Sequence, residues 1–271
     1  MKYYLLFPIR MLGDLWAKRE LIAHFTWREF VGRYRGAHLG LALSFVSPLF
    51  LLAIYTVVFG SLYRSSRTDT EGAGSFAITL FSALIFYNFM GDAVGKASKL
   101  LVENPNYITK VVFPVEILPV SLVGSSLLHF CVNVFILTGG ILVSPQEWHW
   151  TVLLFPVLVF PLLLISLGVC WFLAAVGVYF RDVAAFVPPL MMALLFVSAI
   201  FFPVSSIPEA FQPWLLLNPM ACFSEMGRGI FTKGELPSMG MWSYCFGIGV
   251  VCFFGGYAVF HRLKRNFSDA L

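Results

Sequence analysis

Charge is scarce in this chain. Of its 271 residues only 12% are Asp, Glu, Lys or Arg, about half the share usual in soluble domains. With 59% apolar residues, 29 phenylalanines and a mean hydropathy of +0.84, a water-soluble domain with one packed core is excluded. Cysteine is sparse too. Cys131, Cys170, Cys222, Cys245 and Cys252 form no CxxC pair and lie in or beside apolar runs. That excludes a disulfide framework or a zinc site and leaves them as small buried hydrophobes. No HExxH and no Ser/His/Asp grouping occurs. Gly91-Asp92-Ala93-Val94-Gly95-Lys96-Ala97-Ser98 approaches a phosphate loop. It has three residues between its glycines where four are needed, and Ala97 replaces the metal-binding hydroxyl. The chain is therefore expected to hold no nucleotide or metal of its own. Its longest hydrophilic loop, roughly a dozen residues, leaves little room for a catalytic domain.

What is present is apolar length. A helix needs about 20 largely apolar residues to cross a bilayer. Six stretches qualify, at about 39–62, 76–94, 118–143, 151–180, 184–202 and 241–260. The chain therefore reads as an all-α membrane protein, one transmembrane domain over 1–271 with six transmembrane helices. The fourth stretch is long enough to tilt. Residues 1–9 hold a short apolar run after one lysine, too short for a secretory signal and without a cleavage site.

Residues 203–231 are apolar yet carry Pro203, Pro208, Pro213 and Pro219. Proline at that density interrupts a helix. The segment reads as two short re-entrant helices before the last span, which requires protein or a water-filled cavity around them. An extramembranous loop is the alternative. Residues 14–35 alternate Leu15, Trp16, Leu21, Ile22, Phe25, Phe30 and Val31 with charges, the pattern of an amphipathic helix in the membrane interface. They serve equally as a basic anchor.

Fourteen of the eighteen lysines and arginines fall on one side of these spans, seven of them ahead of the first. Arg64, Arg67, Arg228 and Lys233 fall on the other. The basic side faces the cytoplasm, so both termini are expected there. His129 stands alone in the third span and reads as hydrogen-bonded within the bundle. Asp92 and Glu116 lie near span ends and receive no proton-relay role. The absence of a mid-span cluster of ionisable groups in the sequence argues against a secondary transporter or an ion channel.

The aromatic side chains admit two readings. Tyr55 and Phe59 in the first span, Phe86 and Tyr87 in the second, and Phe196 and Phe201 in the fifth either pack against lipid and bundle or line a passage. Aromatic walls stack on the apolar faces of sugar rings through weak contacts, which lets a long chain slide.

Several stretches together resemble one family. Arg28-Glu29-Phe30 leads to Arg33-Tyr34-Arg35-Gly36, Leu39-Gly40, Ser47-Pro48-Leu49 and Tyr55-Thr56-Val57-Val58-Phe59. Then come Glu103-Asn104, Ile108-Thr109-Lys110-Val111-Val112-Phe113-Pro114, Glu116-Ile117-Leu118-Pro119, Tyr179-Phe180-Arg181-Asp182-Val183, and Asn218-Pro219 with Arg228. Their order resembles the membrane subunit of ABC-2-type polysaccharide exporters, over about residues 14–262. Val115 departs from it, standing where the family often has Arg.

The resemblance implies a permease in the bacterial inner membrane that exports a lipid-linked polysaccharide, O-antigen foremost. It implies a homodimer joined to two cytoplasmic ATPase subunits, which carry the ATP and magnesium, with no nucleic acid partner. Arg28, Arg33, Tyr34 and Arg35 would belong to the interface helix. Glu103, Asn104, Pro105, Asn106 and Tyr107, in a segment of about Leu101–Thr109, would form one coupling helix and Arg181-Asp182 the other. Helix capping with basic anchoring is the plainer reading of Arg181 and Asp182. A permease for a drug or free lipid is the alternative within transport. A membrane glycosyl- or acyltransferase is disfavoured by the short loops.

Overall fold

The computed structural model describes residues 7–35, 40–64, 73–109, 113–144 and 148–267. Gly36, Ala37, Leu39, Arg67, Lys110 and the first six residues lie outside that part. The described chain is helical with no strand. The helices are α1 (Phe7–Ala17), α2 (Arg19–Gly32), α3 (Leu43–Arg64), α4 (Ala73–Ala97), α5 (Asn106–Thr109) and α6 (Ile117–Val143). They continue with α7 (Phe155–Tyr179), α8 (Val183–Val197), α9 (Gln212–Leu216), α10 (Pro219–Arg228) and α11 (Met239–Leu263).

Four helical stretches are long and apolar enough to cross a membrane: Ser75–Ala97, Ile117–Val143, Trp150–Tyr179 and Met239–Asn266. They match the second, third, fourth and sixth expected spans. The first and fifth contain shorter apolar helices, Leu43–Val58 and Val183–Val197. The fifth was expected to run to residue 202 but stops at Val197. Beyond it Ala199 takes a positive φ of 51°, a conformation that does not continue a right-handed helix.

The 14–35 segment is two helices, not one. The break falls at Lys18, whose side chain is drawn across to Glu116 at the start of α6. Nor does α2 only present an apolar stripe outward. It docks on α6, where Gly124 has no side chain and a Cβ there would meet Thr26 Oγ1 at 2.7 Å. Trp16 and Trp27 remain exposed, 72% and 56%, the kind of ring that sits at a membrane–water boundary.

Helix α4 is the axis of the bundle. Within its apolar window 72% of residues are buried, against 33–44% in the other three long helices, because α3, α6, α7 and α10 surround it. Lipid tails offer apolar side chains no reason to leave them, so close backbone approach does much of the joining. Gly168 of α7 and Gly256 of α11 show this. A methyl group on either would strike the backbone of the other helix, so the two cross nearly backbone to backbone.

In the proline-rich stretch two short helices do form, α9 and α10. Asn218-Pro219 begins α10 in the way the dipeptide suits: Asn218 Oδ1 accepts from the Met220 N–H at 3.0 Å, and Pro219 opens the first turn, where its missing N–H is not needed. The other end of the Asn218 amide donates to Ser198 Oγ at 3.0 Å, tying α10 to the end of α8.

Candidate functional site

Two features adjoin α4. The first is polar. Arg33, just past α2, pairs with Asp92 of α4 and reaches Ser126 of α6 at 3.4 Å. Ser126 Oγ donates to Asp92 at 2.9 Å, and Lys96 stands 3.8 Å from the same carboxylate. Tyr34 Oη lies 3.2 Å from His129 Nδ1, and the Phe30 ring packs on the imidazole at 4.8 Å between centroids. The expected internal hydrogen bonding of His129 is therefore supplied by Tyr34. Beside this network lies a cavity of about 280 Å³ between α2, α3, α4 and α6, with Ser47, Asn88 and Asn133 also on its wall. Asn88 and Asp92 also border a second cavity of about 360 Å³, between α4 and α8, with Tyr87, Gly91 and Met191.

The sequence separates Arg33, Asp92 and His129, and for that reason none of the cavity's polar wall was singled out as a channel residue. The signal was present. Asn88 and Asp92 are four apart on α4, and Ser126, His129 and Asn133 are three and four apart on α6, so each set forms one polar stripe on an apolar helix.

The second feature is aromatic. Tyr55 of α3, Tyr87 of α4 and Phe201 beyond α8 gather around Leu80, Leu84 and Ile200. Phe196 lies 5.7 Å from Phe201 and is 57% exposed. Tyr87 Oη donates to the Met191 carbonyl at 2.8 Å, which fastens the ring to α8. Phe86 does not join this group. It is wholly enclosed, against Phe130 at 5.4 Å and Phe223 at 6.2 Å, so its ring packs the subunit and borders no surface. The side chain of Phe59 is outside the described part.

At the end of the bundle where α4 leads into α5, the expected coupling residues divide. Glu103, Pro105 and Asn106 are exposed. Asn104 turns inward and donates to the Leu100 carbonyl at 2.9 Å, closing its own turn. Tyr107 packs against Phe113 at 4.9 Å and Phe25 at 5.6 Å. Arg28 lies over the Phe25 ring at 4.1 Å and donates to the Tyr107 hydroxyl. Arg181 and Asp182 are exposed at the α7–α8 turn, and the Asp182 side chain makes no capping hydrogen bond to α8. Gly177 near the end of α7 lies against the Ser98 backbone, which brings the two segments side by side. Arg35 is exposed.

Glu116 holds the same end together. It accepts from Lys18 at 2.9 Å and from Lys264 at 2.6 Å, and its carbonyl accepts from Trp171 Nε1 at 3.1 Å. Burial opposes its ionisation, but the hydrogen bonds from Lys264 and Lys18 outweigh that and hold its carboxyl below the usual glutamate value.

These features define a helical protein of the membrane with polar and aromatic surfaces inside an apolar bundle. The chain belongs to the ABC-2 type transporter family, whose pattern it matches over residues 20–232. It is 27% identical over 265 residues to the O-antigen export system permease protein RfbA of Myxococcus xanthus, covering 97% of this chain and all of that one. It is 24% identical over 240 residues to the polysialic acid transport protein KpsM of Escherichia coli, covering 88% and 91% of the two chains. It is 22% identical over 260 residues to the capsule polysaccharide export inner-membrane protein CtrC of Neisseria meningitidis, covering 94% and 95%.

Proposed function

We propose that this chain is the permease subunit of an ABC exporter that moves a lipid-linked polysaccharide, of the O-antigen class, outward across the inner membrane. The observation that carries this reading is the end-to-end match to polysaccharide export permeases of O-antigen and capsule type. The face formed by Tyr55, Tyr87, Phe196 and Phe201 supports it, since stacking surfaces suit a sliding sugar chain. In this reading the subunit works as a homodimer with two cytoplasmic ATPase subunits, which bind ATP and magnesium. Each copy crosses the membrane six times, α3 and α8 included, with both termini in the cytoplasm and α9 and α10 re-entrant from the outer side. The Glu103–Tyr107 segment and the Arg181-Asp182 turn seat in the ATPase and receive its motion, and α2 lies along the inner interface.

The test is complementation. In a strain lacking the gene, the chain with its ATPase should restore surface glycan. Deletion of Leu101–Thr109, or Asp182→Lys, should abolish export while the protein still inserts. Restoration of drug efflux with no effect on surface glycan points instead to a drug or lipid permease.

A further inference from the structure

The cavity between α2, α3, α4 and α6 has a wall built unlike the bundle around it. Two half-buried amides, Asn88 and Asn133, stand on it, and the buried Arg33 Nε has no hydrogen-bond partner among the described residues. At 1.5 Å per residue, Asn88 is about 14 Å from the end of α4 and Asn133 about 24 Å from the start of α6. Both therefore stand well inside apolar helices. Both amides are half-buried and open onto the cavity, and polar groups at that depth in apolar helices call for a polar occupant beside them.

The chemistry of the wall narrows that occupant. Asp92 only accepts hydrogen bonds, Arg33 only donates, and the two asparagines do both. Vicinal hydroxyls, which also donate and accept, match that mixture. Phosphate is a poorer match, because the one cation on the wall is already neutralised by Asp92. The volume of about 280 Å³ lies at the lower edge of the roughly 300–1,000 Å³ common for small-molecule sites. It fits one sugar ring and not a length of chain. Pro48 and Phe89 on the same wall supply an apolar surface for the ring's hydrophobic face.

We propose that this cavity is a carbohydrate subsite that seats a single sugar ring of the lipid-linked glycan, through Asn88, Asn133, Asp92 and Arg33. The assignment rests on the reading of the chain as a glycan exporter. It also gives the glycan a route. Asn88 and Asp92 border the α4–α8 cavity as well, where Tyr87 begins the aromatic face. A sugar leaving the first cavity passes those two residues to reach the stacking surface.

The test uses the permease–ATPase complex in nanodiscs, titrated with the lipid-linked monosaccharide that begins the host's own glycan and with the same lipid phosphate lacking sugar. The double variant N88A/N133A breaks no hydrogen bond within the described chain. It is expected to weaken binding of the lipid-linked sugar at least tenfold and to leave the sugar-free lipid phosphate within twofold. Equal affinity of variant and wild type for the lipid-linked sugar, or an equal loss for both ligands, overturns the subsite. If the double variant fails to copurify with the ATPase, Asn133→Ser is read the same way, with a loss of threefold or more expected and none overturning the assignment. Complementation separates the two readings. A wild-type chain that restores no surface glycan removes the exporter reading and the subsite with it. A wild-type chain and N88A/N133A that restore glycan equally remove the subsite only.

Discussion

The guanidinium of Arg28 donates to the hydroxyl of Tyr107 at 2.6 Å across 79 residues of sequence, and the same group lies over the Phe25 ring. This joins α2 to the short helix α5. Five residues beyond Arg28 the chain reaches Arg33 and its pair with Asp92, so α2 runs from the proposed ATPase-facing segment to the polar cavity. Arg28→Ala should lower export at least fivefold while the ATPase still copurifies and hydrolyses ATP. Tyr107→Phe keeps the ring stack and loses one hydrogen bond, so it should be milder, within about 1–2 kcal/mol. Normal surface glycan in the Arg28→Ala strain would show that α2 transmits nothing.

Glu116 yields a pH dependence. Its folded pKa is held below the ordinary glutamate value of about 4.3, so its stabilising effect is complete above that value. It is lost as pH falls through the lower, folded pKa. Glu116→Gln should reduce stability by about 1–2 kcal/mol at pH 7, discounted for the partial exposure of both lysines. Thermal unfolding of the detergent-solubilised complex measures it. The gap between wild type and variant should close on acidification below pH 4 and stay constant between pH 6 and 8.

Arg228 is 2% exposed and donates to the carbonyls of Ala199, Ile200 and Phe202 while pairing with Glu225 at 3.1 Å. It ties α10 to the non-helical segment that follows α8 by satisfying carbonyls there. Arg228→Ala leaves these carbonyls without their donor and takes from Glu225 its buried cation, although Val204 N–H and Lys233 still reach that carboxylate, and should destabilise by about 3–5 kcal/mol. Arg228→Lys keeps the charge but not the planar fork, so it should recover only a minor part. Yield and melting temperature of the purified complex are the readouts, and a melting temperature unchanged in Arg228→Ala would refute the role.

The helices themselves were legible. The expected third and sixth spans, 118–143 and 241–260, fall within α6 and α11 almost to their ends, because an apolar run of that length has one way to satisfy its backbone in lipid. The breaks were not legible. At the break, Lys18 pairs with a carboxylate 98 residues away, and the segment just past α8 is held by an arginine nearly thirty residues on, neither of which local sequence reveals. Among the candidate aromatic residues, Phe86 and Tyr87 are neighbours with the same local pattern, yet one is sealed against Phe223 and the other reaches Met191. Consecutive side chains on a helix diverge by about 100°, and which direction faces the core depends on what packs there.

By itself, then, the order of residues determined an all-helical chain held in a bilayer, its long helices and its family, since these follow from local hydrophobicity and from motif order. Only the tertiary structure decided that Arg33, Asp92, Ser126, His129 and the asparagines 88 and 133 share one small chamber. Polar groups in apolar helices must find partners or occupants, and which of them meet is set by the packing of helices far apart in the chain.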